Sequence, residues 1–226
     1  QNISLIVPGG AQVAIMGASG AGKTTLLSVL SGRCGDGRFK GEMKLNRCAM
    51  QPWQMAALRP LTGYVPQDDV MHTMLTVREN IGFQSKLRPL RRTEPDEQTC
   101  KDSELGVVAS AEALQHDFES RIDAVLEGLG ISHIADRIIK SGISGGQRKR
   151  VSIGMEMIAQ PRVMLLDEPS TGLDSSTAHR LLQLVLRRSK EDCCTSIATI
   201  HQPRWATLNL FDMLVLLAPG GHLCFA

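Results

Sequence analysis

Residues 17–25 read GASGAGKTT and stand between stretches of different period. Before them, Gln12–Met16 alternates around Val13 and Ile15; after them, Lys23–Leu30 continues at helical spacing. A period of two marks a strand and a period near 3.6 a helix, so this is the turn of a strand–loop–helix unit. Glycines at 17, 20 and 22 let the main chain bend until several N–H groups face one point, and the new helix directs the positive end of its dipole there. Such a turn is a phosphate cradle. The spacing G-x-x-x-x-G-K-[ST] adds Lys23 for the β- and γ-phosphates and the Thr24 hydroxyl for Mg²⁺. Gly17, Ala18, Ser19, Gly20, Ala21, Gly22, Lys23, Thr24 and Thr25 are therefore the candidate nucleotide-binding residues. A flexible turn with an exposed lysine is the plainer reading, but it does not explain the flanking periods.

The same alternation of patterns runs along the rest of the chain. Short strands are expected at Lys40–Asn46 and Gly63–Pro66, a buried, continuously apolar one at Val163–Leu166, and further buried ones at Thr195–Ile200 and Asp212–Ala218, the last followed by a Pro-Gly-Gly turn. Thr76-Val-Arg-Glu79 is a capping box that opens a helix towards Leu87. Asp117–Leu129 is an amphipathic helix ended by Gly130, and Asp174 can cap a helix reaching Arg188. Strands alternating with helices predict an α/β fold, a P-loop NTPase core with a mostly parallel sheet, plus a helical subdomain. The core is expected from 1–75 and 161–226, the helical subdomain from 76–160, and a polar, charged, proline-bearing insertion is exposed at about 88–104.

Composition excludes several classes. A formal charge of +2 gives no general attraction to nucleic acid or to anionic lipid. The longest apolar runs are of the kind of MLVLLA at 213–218, far short of the ~20 residues that cross a bilayer. The chain starts at Gln1 without a signal-peptide pattern and reads as a segment of something longer. Six cysteines, at 34, 48, 100, 193, 194 and 224, lack metal-ligand spacing and are expected as free thiols in a reducing compartment.

Ligands of a parallel sheet lie at the carboxyl ends of its strands, and polar residues follow three expected strands there. Asp167 and Glu168 end VMLLDEP; their side chains diverge, so their roles differ. Asp167 can hold Mg²⁺, through water, and Glu168 can orient and deprotonate an attacking water; the plainer reading is a pair of capping acids. Gln67, after GYVP, is either a surface amide or a contact to both Mg²⁺ and that water. His201, after TSIATI, is either a solvated or capping side chain or a donor to the γ-phosphate as its charge develops.

A second candidate anion site is SGISGGQRKRVSIGMEM at 141–157. Ser144-x-x-Gln147 is itself a capping box, which accounts for a helix start. Gly145 and Gly146 weaken that first turn, and Arg148, Lys149 and Arg150 crowd its positive end. Both costs make sense if an anion docks there; a solvated basic face is the alternative.

Six elements now stand in one order: the P-loop, Gln67 in VPQDD, ISGGQ at 143–147, LLDEP at 165–169, STGLD at 170–174 and IHQP at 200–203. This pattern resembles the nucleotide-binding domain of an ABC transporter. The wording GISGGQRKRVSIG, DEPSTGLDSS and TIHQP is most similar to the G (white-type) subfamily, eukaryotic half-transporters with the ATPase domain ahead of the membrane domain. The resemblance implies an ATP- and Mg²⁺-dependent hydrolase that pairs head to tail with a second cassette, each ATP lying between one P-loop and the other subunit's signature segment. It implies that Ser144, Gly145, Gly146 and Gln147 reach the partner's γ-phosphate, that Glu168 is the base and that His201 is the switch histidine. By the same resemblance Gln67 senses Mg²⁺ and the γ-phosphate, with its loop coupling to a membrane domain, and Asp174 lies on the loop crossing the dimer interface. Thr24, Gln67 and Asp167 are then the metal-site residues. The implied place is the cytoplasmic face of a membrane, with the transmembrane domain outside this chain and no nucleic-acid partner. Isoleucine replaces the commoner leucine in ISGGQ, and the adenine-stacking aromatic is expected upstream of the chain. Two alternatives compete: a soluble ABC ATPase acting on nucleic acid or ribosomes, and a degenerate cassette that binds ATP as a dimerisation switch. The absence of a sustained heptad run between residues 25 and 140 argues against the coiled-coil DNA-repair version of the first. Intact Lys23, Glu168 and His201 oppose the second.

Overall fold

The computed structural model describes residues 3–33, 41–46, 48–50, 54, 59–87 and 111–225. The expected insertion at 88–104, Cys34 and Cys100 lie outside them. Strands are β1 (Gln12–Gly17), β2 (Met43–Leu45), β3 (Cys48–Met50), β4 (Thr62–Val65), β5 (Val163–Leu166), β6 (Thr195–Ile200), β7 (Met213–Ala218) and β8 (His222–Phe225). Helices are α1 (Lys23–Leu30), α2 (Val77–Leu87), α3 (Ala111–Gly128), α4 (Gly145–Met157), α5 (Ser175–Glu191) and the short α6 (Trp205–Leu208).

Six strands form the main sheet in the order β4-β5-β6-β1-β7-β8. All neighbours are parallel except β7 and β8. The mostly parallel sheet is as the periodicity predicts. Two antiparallel pairings are additions: β8 returns along β7 after the Pro-Gly-Gly turn, and β2 pairs with β3 as a separate hairpin. Neither β3 nor β8 shows the clean alternation or apolar run that marks a half-buried or buried strand, and both are largely exposed.

Alternation of side chains along each strand divides the core in two. Val13, Ile15, Leu165, Ile197, Val215 and Leu217 share one apolar cluster with Leu27 of α1. Ala14, Val65, Leu166, Ala198 and Ile200 face the other way, onto Leu181, Leu182 and Val185 of α5. Ile81 of α2, Ile122 and Leu126 of α3, and Ile153 of α4 belong to that same second cluster, so the helices between β4 and β5 are continuous in packing with one face of the sheet.

The helix caps follow the sequence signals closely. Thr76 N–H donates to Glu79 Oε2 at 2.7 Å and Glu79 N–H to Thr76 Oγ1 at 3.1 Å, the reciprocal pair of a capping box. Helix α3 begins at Ala111, six residues ahead of the expected start at Asp117, and ends just before Gly130. Four cysteines among the described residues, 48, 193, 194 and 224, are free; burial pushes the Cys194 thiol up to about 12, which makes it chemically inert.

Candidate active site

Parallel pairing sends the ends of β1, β4, β5 and β6 to one rim of the sheet, and the candidate residues emerge there together. A cavity of about 650 Å³ is lined by Ser19, Gly20, Gly22, Lys23, Thr24, Thr25, Gln67, Glu168, Ser170, Thr171 and His201. Gly20 and Gly22 hold φ of 76° and 90°, left-handed values that explain glycine at both turns of the loop. Gly17, Ala18 and Ala21 belong to the loop without lining the cavity. Ala21 is 1% exposed in the core, and its N–H is spent on Ala18 O at 3.1 Å.

Lys23 is buried, and its ammonium donates to Gly17 O at 3.0 Å and Ala18 O at 3.1 Å. Glu168 Oε1 stands 3.9 Å from it. The cation is thus held at the cavity wall by the loop's own carbonyls. Two carbonyls and one carboxylate leave it free to exchange these for stronger phosphate contacts.

Asp167 and Glu168 separate as expected, and the reason is visible. Asp167 is 2% exposed beneath the cavity. Its Oδ1 accepts from Thr24 Oγ1 at 3.1 Å and from Thr199 Oγ1 at 2.7 Å. Glu168 turns outward because its backbone is left-handed, with φ of 44°. That costly conformation is over-determined by its neighbours. Its N–H donates to Thr199 Oγ1 at 2.8 Å, and its Oε2 accepts from Thr171 Oγ1 at 2.9 Å. Gln202, next to His201 at the end of β6, is also left-handed, with φ of 45°. Both non-glycine residues therefore sit where strands deliver polar groups to the rim.

Three residues of this site were not singled out from the sequence. Thr199 bridges the two acids, yet a threonine in a strand reads only as a good strand former. Thr171 lies in STGLD, which reads as a turn. Tyr64 is the chain's one tyrosine. Burial, then the Asp167 carboxylate, pushes its phenol up, and the Arg33 guanidinium lies 4.3 Å from the centre of its ring.

The second candidate anion site is elsewhere on the chain. Ser144 caps α4 in the expected box: Gln147 N–H donates to Ser144 Oγ at 3.2 Å and Ser144 N–H to Gln147 Oε1 at 2.9 Å. Ser144 and Gly145 are exposed, and none of Ser144, Gly145, Gly146, Gln147 or Asp174 lines the cavity. Asp174 caps α5 by accepting from the N–H groups of Ser176 and Thr177, each at 3.0 Å. The two helix starts touch: a Cβ on Gly146 would come within 2.8 Å of Thr177 Cγ2.

That contact and the cations each have a local account within the chain. A side chain at Gly146 would meet α5, which packs against it. Arg148, Lys149 and Arg150 do not form one basic face. Lys149 is 3% exposed and pairs with Asp69 at 2.7 Å, and Arg150 Nη1 lies 3.4 Å from Leu129 O. Lys149 and Arg150 thus have partners within the chain.

The oxygen set at the rim fits a magnesium ion. Thr24 Oγ1 and Asp167 Oδ1 are hard donors 3.1 Å apart. Among the described residues no group of three or more His, Cys, Asp or Glu could hold a metal alone. An ion held by one hydroxyl and one carboxylate must take its other ligands from phosphate and water, which is how Mg²⁺ is commonly bound.

Sheet order, glycine loop and rim together define a class, the P-loop NTPases. The comparisons narrow it. Residues 1–171 match the family model described as ABC transporter. The chain is 42% identical over 211 residues to the mouse broad substrate specificity ATP-binding cassette transporter ABCG2, covering 92% of the chain and 28% of that protein. It is 36% identical over 217 residues to ABC transporter G family member 28 of Arabidopsis thaliana, covering 94% and 17%. It is 36% identical over 225 residues to human ATP-binding cassette sub-family G member 5, covering 97% and 31%. Among solved structures, cbiO1 from Clostridium perfringens superposes with a TM-score of 0.78 at 23% identity, covering all of this chain and 80% of that one. At that identity the likeness is one of fold. The chain belongs to the ABC transporter family, is most like its G-subfamily members, and is an ATP-hydrolysing cassette. It spans less than a third of the length of these relatives.

Proposed function

We propose that this cassette drives transport of a substrate across a membrane by closing head to tail on a second cassette over two ATP molecules. Its place is the cytoplasmic face of that membrane, joined to a transmembrane domain. The relatives above are named as transporters, and nothing in the charge balance favours the alternative of a nucleic-acid or ribosome partner. We assign residues 1–75 and 161–226 to the ATPase core and 76–160 to the helical part that carries Ser144–Gln147.

The observation that carries the reading is the division of the candidate residues into two groups on one chain. One lines the cavity around Lys23, and the other forms an exposed helix tip at Ser144 and Gly145. A tip with free N–H groups and no ligand site of its own is explained if it completes the cavity of another copy. Neutralisation of developing charge is the chemistry Mg²⁺ supplies when bound, with Thr24, Asp167 and Gln67 around it. Lys23 and the loop N–H groups orient the triphosphate. Glu168, tied by Thr171 and aimed into the cavity, takes a proton from the attacking water. His201, on the same wall, donates to the γ-phosphate as its charge grows.

Mixing two crippled variants tests the pairing. Ser144→Arg and Lys23→Ala homodimers should each be inactive. In a heterodimer both lesions fall on one nucleotide and one composite site stays intact, so ATPase activity should return to about half the parent rate per cassette. Verified heterodimers that remain inactive would remove the head-to-tail reading.

A further inference from the structure

Lys149 and Lys23 are the two buried lysines among the described residues. Lys149 lies on the first turns of α4, its side chain is 4% exposed, and it makes two short contacts across 82 and 80 residues of sequence. Its Nζ donates to Gln67 O at 2.8 Å and meets Asp69 Oδ1 at 2.7 Å, while the Asp69 side chain is itself only 15% exposed. Burying a lysine is unfavourable unless it is paired and hydrogen-bonded, and here one partner is a main-chain carbonyl rather than a second acid. That carbonyl belongs to the residue whose side chain lines the cavity.

The neighbouring ties show what Lys149 adds. Ahead of Gln67, Val65 O accepts from Asp167 N–H at 2.9 Å. After Asp69, His72 N–H donates to Asn80 Oδ1 at 2.9 Å and Lys140 N–H to Thr73 O at 2.8 Å. Between these anchors, Gln67, Asp68 and Val70 are exposed, and the stretch is fastened to the fold from beneath by Lys149. On its own helix, Lys149 lies two residues beyond Gln147, which closes the capping box with Ser144. One buried ammonium thus joins the cavity wall to the exposed helix tip.

We propose that Lys149 is a positioning residue for ATP hydrolysis, making the Gln67 loop and the Ser144–Gln147 tip move as one piece. It acts through Gln67 and touches no reacting atom. A shift of Gln67 on closing around its own nucleotide is carried to the tip presented to the partner cassette. The inference rests on the reading in which Gln67 serves this chain's nucleotide and the tip serves the partner's.

The test compares ATP turnover and nucleotide affinity in Lys149→Met, Lys149→Arg, Asp69→Asn and Gln67→Ala, singly and combined. Lys149→Met, which keeps the bulk and removes the charge, should lower kcat by about tenfold or more, as small displacements at a reacting centre do. Affinity for a fluorescent ATP analogue without Mg²⁺ should change less than about twofold, and Lys149→Arg should recover much of the lost kcat. In the Gln67→Ala background the same Lys149→Met change should cost less than about twofold, because the two act in series. Full multiplicative losses in both backgrounds, or an unchanged kcat in well-folded Lys149→Met, would overturn the proposal. If Lys149→Met does not fold, Asp69→Asn gives the same comparison from the loop side, with the same non-additivity expected. A Gln67→Ala variant that turns over at the parent rate would instead remove the role of Gln67, and with it the premise for Lys149.

Discussion

At the scale of single residues, the most informative side chain is one no motif names. Thr199 is fully buried and has a single hydroxyl hydrogen. It donates that hydrogen to Asp167 Oδ1 and accepts from Glu168 N–H, so one atom sets the carboxylate beneath the cavity and the left-handed backbone of the proposed base. Thr199→Val keeps the shape, leaves Glu168 N–H without its acceptor and takes from Asp167 Oδ1 one of its two hydroxyl donors, Thr24 being the other. It should destabilise the fold by about 1–3 kcal/mol in a denaturant titration. It should also lower kcat by about tenfold or more, with Thr199→Ser recovering most of both losses. A valine variant with parent stability and turnover would show the bridge to be idle. Lys23, Thr24, Asp167, Glu168 and His201 were legible because each stands at a fixed offset from a strand or a glycine turn. Thr199, Tyr64 and Lys149 were not, because their importance lies in partners 31 or more residues away.

At the scale of elements, boundaries followed chemistry that is local. β5 and β6 match their expected spans, with Met164, Leu165 and Leu166 of β5 and Ile197, Ala198 and Ile200 of β6 buried within the parallel sheet. The caps at Thr76, Ser144 and Asp174 formed as their spacing required. Asp174 gives a pH test. The hydroxyls of Ser176 and Thr177 and the N–H of Thr177, followed by that of Ser176, hold its carboxyl well below the usual carboxylate range. Its folded pKa is depressed, so the stabilisation is present above the unfolded value and is lost as pH falls through the folded one. Asp174→Ala should therefore lower Tm at pH 7, and the gap from the parent should begin to close only below about pH 4. A gap that is constant between pH 7 and pH 3 would show that the carboxylate charge contributes nothing to the cap. The start of α4 was legible as a helix, but the partners of its cations were not. Three charges in sequence imply a basic face only if all point outward, and the 3.6-residue repeat sends Lys149 inward.

For the molecule as a whole, the proposed cycle makes association depend on nucleotide. Glu168→Gln preserves shape and hydrogen bonding at the cavity wall and removes the base. With ATP and Mg²⁺ it should bind nucleotide, turn over at least about a hundredfold more slowly, and elute as a dimer at high protein concentration. Turnover at the parent rate would displace Glu168 as base, and a monomer with ATP bound would count against closure. Among the described residues no helix is long and apolar enough to cross a membrane. The order of the motifs and the alternation of periods were enough to specify a parallel sheet, a phosphate loop and an acid pair. These depend on side chains a few residues apart and on backbone preferences that act locally. Sheet order, the antiparallel return of β8, the Thr199 bridge and the Lys149 tie came from folding alone. Each joins residues distant along the chain, and such pairs meet only when burial of both faces of the sheet brings them into contact.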